Sequence, residues 1–144
     1  MLYVDTSVIV SALTRETDTA LSQVWLATQE TSELTISDWT TTEFASALSI
    51  KLRTGALGAD DRAAALSTFT RLCAESFRSL PVERKDFRAA ARFADQSELN
   101  LRAGDALHLA ICVNHGASLC TLDRRLAEAA PRVGMPVRDV TPSK

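Results

Sequence analysis

Two apolar runs in this chain, LYV at 2–4 and ASLCTL at 117–122, each stop at an aspartate, Asp5 and Asp123. Runs this short and this apolar read as buried strands. Asp5-Thr6-Ser7 then suits a helix start, because each of the three can offer a side-chain oxygen to the unpaired N–H groups there. Strands that feed directly into helices imply parallel pairing through helical crossovers, and so an α/β layered fold. In such sheets the site lies beyond the carboxyl ends of the strands. Asp5 and Asp123 are therefore expected to project at the same sheet edge.

The segments between carry helical periodicity. A helix is expected to about Leu13 and another over 17–28, followed by a strand, LTI, at 34–36. Ser37 and Asp38 open a long helix with Trp39, Phe44, Ala47, Leu48 and Leu52 at helical spacing, which Gly55 and Gly58 end. Two more helices are expected at 60–77 and 83–97, with a short strand near 78–80 between them and Pro81 marking the connection. Gly104-Asp105 opens an apolar helix that Gly116 closes. The strand at 117–122 follows, then a helix at 124–130 and an edge strand around Val137.

Composition narrows the class. A length of 144 residues suits one domain, 1–144, and 46% hydrophobic with 24% charged residues is ordinary globular usage, which excludes disorder and collagen-like structure. No apolar run approaches the ~18 residues that span a bilayer, and the N-terminus lacks the basic-then-apolar order of a signal peptide. Cys73, Cys112 and Cys120 are odd in number and form no CxxC pair. That speaks against a disulfide framework or structural zinc and fits a cytoplasmic protein. A net charge of −2 does not announce a nucleic-acid binder, although all but Lys51, Lys85 and Lys144 of the basic residues are Arg, which suits planar phosphate contacts.

Two further acids stand out. Glu43 lies in a mostly apolar helical stripe between Trp39 and Ala47, and Asp105 starts an apolar helix. An ionised carboxylate in such a stripe needs water or a positive partner. Each Asp by itself is also explained as an N-cap. It is the joint pattern of Asp5, Glu43, Asp105 and Asp123 that points to chemistry. Converging carboxylates repel unless a cation offsets them, and an all-oxygen set suits Mg²⁺ or Mn²⁺. Such a site suits phosphodiester hydrolysis.

The segments VDTSVIVSAL (4–13), TTEFASAL (41–48), GDALHLA (104–110) and TLDRRLA (121–127) together resemble the PIN-domain family, and most closely its VapC toxin branch. The resemblance covers nearly the whole chain. It implies a three-layer α/β/α fold around a parallel sheet of about five short strands. It also implies a metal-dependent endoribonuclease, with Asp5, Glu43, Asp105 and Asp123 as the catalytic and metal-binding quartet. It further implies a VapB-type antitoxin partner and a homodimer. The family places a hydroxyl beside its first acid; Thr6 and Ser7 are both available here, and Ser7 is the better candidate for touching a metal-bound water, although a helix start also explains it as a capping residue. Trp25, Trp39 and Phe44, at helical spacing within apolar stripes, read as core rather than as a base-stacking surface; in the toxin branch, however, the first-half helices help form the antitoxin groove, and the resemblance implies Trp25, Phe44 and Leu48 as partner contacts.

Thr121, two residues before Asp123, either orients a water or substrate or is a strand-end hydroxyl. Arg102, Arg124 and Arg125 are candidates for phosphate contacts, whereas Arg84, Arg88 and Arg92 with Lys85 read as a solvated stripe. His108 reads as a packed core residue without a catalytic role, and His115 as a helix-end residue. Two other functions compete. A phosphatase with Asp5 as nucleophile lacks the second Asp at position 7, which is Ser, and has no strong lysine candidate. A non-catalytic module would use the acids to hold metal or RNA alone.

Overall fold

The computed structural model describes residues 1–140; residues 141–144, which include Lys144 and the end of the expected domain, lie outside the described residues. Five short strands, β1 (Leu2–Val4), β2 (Leu34–Ser37), β3 (Arg78–Leu80), β4 (Ser118–Cys120) and β5 (Val137–Arg138), form one sheet in the order β3-β2-β1-β4-β5. Every pairing is parallel. The helices are α1 (Thr6–Leu13), α2 (Thr19–Thr28), α3 (Asp38–Arg53), α4 (Ala59–Glu75), α5 (Arg84–Asp95), α6 (Ala103–His115) and α7 (Arg124–Arg132). This is the expected three-layer α/β/α architecture.

Side-chain alternation along the strands builds the layers. Leu2 and Val4 of β1 and Leu34 and Ile36 of β2 point to one face, where they meet Val8 and Ile9 of α1, Trp25 of α2, Phe44 and Leu48 of α3 and Phe69 of α4. Tyr3 and Leu119 point to the other face, against α5, α6 and α7 through Ala89, Leu109, Ile111 and Leu126. Trp25, Phe44 and Leu48 are 2%, 0% and 0% exposed, so they belong to the protein's own core and offer no surface to a partner.

Element limits differ from the sequence expectations in ways the geometry explains. The strand expected at 117–122 is only three residues long, because Cys120 pairs with Val4 and β1 ends there. Beyond it β4 has no partner, and Thr121 turns its hydroxyl onto Asp5 instead. Helix α2 begins at Thr19 rather than 17. The Thr19 hydroxyl accepts from the Glu16 N–H at 2.8 Å and donates to the Thr14 carbonyl at 2.7 Å, which holds 14–18 in a turn. Helix α5 stops at Asp95, and a 3₁₀ turn at Ser97–Leu99 leads to Asn100 in the left-handed region at φ 55°.

Phe44 and Phe69 stack with ring centroids 4.3 Å apart and lock α3 onto α4. Phe44→Ala is expected to cost about 3–5 kcal/mol of stability through the cavity it leaves. Urea denaturation of the variant against the parent checks this.

Candidate metal centre at the carboxyl edge of the sheet

The sheet order puts β1 in the middle, with β2 on one side and β4 on the other, so successive connections leave it in opposite directions. The crevice where they part is the usual ligand position in such sheets. Here the crevice opens at the ends of β1 and β4. It is lined by Asp5, Thr6, Glu43, Asp105, His108 and Asp123, with Glu16 and Asp18 towards its outer part. All four expected acids therefore meet in one cleft. Glu16 and Asp18 had no sequence signal, because they come from an irregular turn. No Lys or Arg is among the described residues that line the cleft.

Asp5 is set by the backbone. Its N–H continues the β1–β4 ladder by donating to the Cys120 carbonyl at 3.0 Å. Its side chain caps α1 by accepting from the Ser7 N–H, and its second oxygen accepts from the Thr121 hydroxyl. The same Thr121 oxygen accepts from the Asp123 N–H at 2.9 Å, so one hydroxyl ties the first acid to the fourth. Asp123 also caps α7, accepting from the Leu126 N–H at 3.1 Å. Capping and site roles are thus not alternatives at these positions.

Ser7 is the hydroxyl that sequence favoured beside the first acid. It lines the cleft, its hydroxyl helps hold Asp5 in the charged form and lies 3.4 Å from Thr121 Oγ1, and its Oγ also accepts from the Leu122 N–H at 2.9 Å, which pins α1 to the loop after β4. The Thr6 hydroxyl is turned to the second acid, donating to Glu43 Oε1 at 2.7 Å. Helix α3 projects Glu43 beside its buried face, with the side chain 28% exposed. Helix α6 brings in Asp105 in its first turn, where the carboxylate accepts from the Arg102 N–H at 3.3 Å.

His108 is where the sequence reading fell short. The ring is buried, as expected of a core residue, but its Nε2 lies against Glu43 Oε1. Its position one turn after Asp105, on the face that Asp105 presents to the cleft, was the available signal. Gly104 matters for a related reason. A Cβ at that position would sit 2.9 Å from Glu43 Oε2 and 3.3 Å from the Trp39 ring, so glycine leaves the room that the end of the Glu43 side chain occupies. Arg102, Arg124 and Arg125 are exposed and do not line the cleft, and the stripe of Arg84, Arg88 and Arg92 is exposed on α5.

The electrostatics follow from crowding. Burial pushes the Asp5 carboxyl up, opposed by His108, Thr121 and Ser7. Burial also pushes Glu43 up, but the His108 contact and the Thr6 hydroxyl outweigh it, and its pKa is lowered. Asp105 is raised by burial and then by the charges of Asp123, Asp5 and Glu43, which the Arg102 N–H only partly offsets. Asp105 thus feels the other three acids, while His108 favours the charged forms of Asp5 and Glu43 and no Lys or Arg among the described residues lines the cleft.

That surplus of negative charge fits a divalent cation. Among the described residues no three His, Cys, Asp or Glu side chains are gathered closely enough to cage one directly. A Mg²⁺-type ion does not require it, since it keeps several waters and binds through one or two carboxylates. Asp5, Glu43, Asp105 and Asp123 fit that role.

The sequence model of the PIN domain family matches residues 2–131, and the chain belongs to that family. No curated protein matches the chain in sequence. Among solved structures, FitAcB from Neisseria gonorrhoeae is similar at TM-score 0.70 and 19% identity, with 97% of this chain and 98% of that one covered. VapC20 from Mycobacterium tuberculosis, described as a sarcin–ricin loop cleaving toxin, is similar at TM-score 0.71 and 17% identity, covering 90% and 95%. A toxin–antitoxin complex from Klebsiella pneumoniae is similar at TM-score 0.62 and 16% identity, covering 91% and 93%. At these identities the likeness is one of fold.

Two outcomes test the site. Because the folded state holds the Asp105 proton more tightly than the unfolded chain does, its charge is harmless at acid pH. The charge becomes destabilising as pH rises from the ordinary carboxylate range through the raised folded value. Asp105→Asn is therefore expected to raise the melting temperature at neutral pH in chelator and to leave it little changed at acid pH. Thermal denaturation at both pH values checks the sign. Gly104→Ala is expected to keep α6, since alanine favours a helix over glycine by roughly 1 kcal/mol, but to displace the Glu43 carboxylate. Weakened Mn²⁺ binding in a calorimetric titration, with an unchanged circular dichroism spectrum, is the expected signature.

Proposed function

We propose that this chain is the toxin of a toxin–antitoxin pair and a divalent-metal-dependent endoribonuclease. RNA phosphodiester bonds are hydrolysed at Asp5, Glu43, Asp105 and Asp123. The observation that carries this reading is the cleft itself. Four carboxylates, from the end of β1, α3, α6 and the β4–α7 turn, line it with no Lys or Arg among the described residues of its lining. Membership of the PIN domain family supports it. So does the likeness in fold to a toxin described as cleaving the sarcin–ricin loop.

Mg²⁺ or Mn²⁺ bound there would offset the mutual repulsion and stabilise charge on the attacking and leaving oxygens of the phosphodiester. The chain's own contribution is preorganisation. Thr121 and the Ser7 N–H hold Asp5, while Thr6 and His108 hold Glu43, so neither carboxylate must reorganise when substrate arrives. Arg102, Arg124 and Arg125, exposed next to Asp105 and Asp123 in the chain, would contact the RNA backbone outside the cleft. A phosphatase mechanism with Asp5 as nucleophile has less support, because position 7, where its pattern wants a second Asp, is Ser7.

Control by a VapB-type antitoxin belongs to the same reading. An apolar groove lined by Leu13, Leu26, Leu72 and Phe77, between α1, α2 and α4, would receive an amphipathic segment. Two copies of the toxin would associate in the cytoplasm, with Phe87 of α5, 57% exposed beside an apolar groove against α6, at the contact. No helix among the described residues is long and apolar enough to cross a membrane.

Incubation of total bacterial RNA with the purified protein is expected to yield discrete fragments in Mn²⁺ or Mg²⁺ and none in chelator. Asp5→Asn and Asp105→Asn are expected to lose roughly 100-fold or more of the rate. Cleavage that persists in both variants would overturn the site.

A further inference from the structure

Beneath Glu43 runs a series of buried polar side chains that the cleavage chemistry does not itself require. His108 Nε2 touches Glu43 Oε1, and its Nδ1 lies 2.7 Å from the Tyr3 hydroxyl. The Tyr3 hydroxyl lies 2.8 Å from Ser37 Oγ, which lies 3.5 Å from Thr40 Oγ1. Thr40 Oγ1 in turn accepts from the Ser37 N–H at 3.2 Å. The four side chains come from β1, the end of β2, the start of α3 and α6, and all are closed to solvent, His108 the most exposed at 2%.

The chemistry of the groups sets the direction of this series. A carboxylate only accepts, so the His108 nitrogen against Glu43 carries the hydrogen. Burial holds the Tyr3 phenol above its ordinary range, so it remains an O–H. In the neutral imidazole Nδ1 is then the acceptor, and Tyr3 donates to it. The Tyr3 oxygen accepts from Ser37, and the Ser37 oxygen accepts from Thr40. Each hydroxyl has one acceptor and the series terminates on the Ser37 backbone N–H, which leaves no buried polar group of the five unpaired.

We propose that Tyr3 and His108 are positioning residues of the site. Tyr3 selects the Nε2–H tautomer of His108, and His108 with Thr6 saturates Glu43 Oε1, so that Oε2, over Gly104, is the oxygen left for a divalent cation or its waters. No hydrogen bond to Oε2 is made among the described residues, and Gly104 supplies the clearance that keeps it there. An imidazole held by a second buried group so that it orients a ligand from behind is the arrangement by which outer-shell partners tune metal sites. The inference rests on the reading of Glu43 as part of the cleavage site.

The test uses the full chain and two readouts. In metal-free protein, ¹⁵N–¹H correlation spectra are expected to show the neutral His108 ring as the Nε2–H tautomer, and Tyr3→Phe is expected to remove that preference. Mn²⁺ affinity is expected to fall roughly 10- to 100-fold in Tyr3→Phe and in His108→Leu, the scale of outer-shell substitutions. His108→Gln, whose amide N–H can reach Glu43 as Nε2 does, is expected to recover most of it. In RNA cleavage the loss would appear in kcat rather than KM. An Nδ1–H tautomer in the parent protein overturns the proposal. So does Tyr3→Phe with unchanged spectra and Mn²⁺ affinity, or Leu and Gln variants that behave alike. Neither the spectra nor the Mn²⁺ titration needs RNA. A parent protein that binds Mn²⁺ through the relay yet cleaves no RNA would sink the ribonuclease reading alone.

Discussion

Carboxylates brought together out of water repel one another, and this structure gathers four at one end of a small sheet. The cost shows in Asp105, which is raised by burial and by Asp123, Asp5 and Glu43. A fold can sustain such crowding only if each acid is held by donors from elements that are already rigid. Here those donors are the Thr121 and Thr6 hydroxyls, the His108 imidazole, and N–H groups at helix starts. The buried sheet and its two covering layers are what keep those donors in place.

The division of labour among the hydroxyls illustrates how little freedom the site has. Thr121 bridges Asp5 and the Asp123 backbone, Thr6 serves Glu43, and Ser7 fastens α1 to the loop after β4. A single face of the parallel sheet would not produce this. It depends on β1 and β4 ending in register, Val4 opposite Cys120, so that the residues that follow both strands face each other. The cleft is accordingly a product of strand length.

Much of this was legible before any coordinates. The alternation of short apolar runs with helical stripes is set by local periodicity, and it predicted the parallel sheet, the helix order and the shared edge of Asp5 and Asp123. The boundaries that missed did so where non-local partners decide. β4 stops because β1 stops, α2 starts late because Thr19 holds the Glu16 turn, and α5 gives way to a 3₁₀ turn. Trp25, Phe44 and Leu48 had the pattern of either a core or a partner surface, and only the packing of α2, α3 and α4 against the sheet resolved it in favour of the core.

By itself the sequence determined the fold class and put forward four acids that line one cleft, because strand and helix periodicity and the residues at element ends or in an apolar stripe are local properties. The tertiary structure alone decided how those acids are held. His108, Tyr3 and Gly104 are far from Glu43 along the chain. What joins them is the approach of α6 to α3 across the end of the sheet, and a contact between elements leaves no periodicity for a sequence to display.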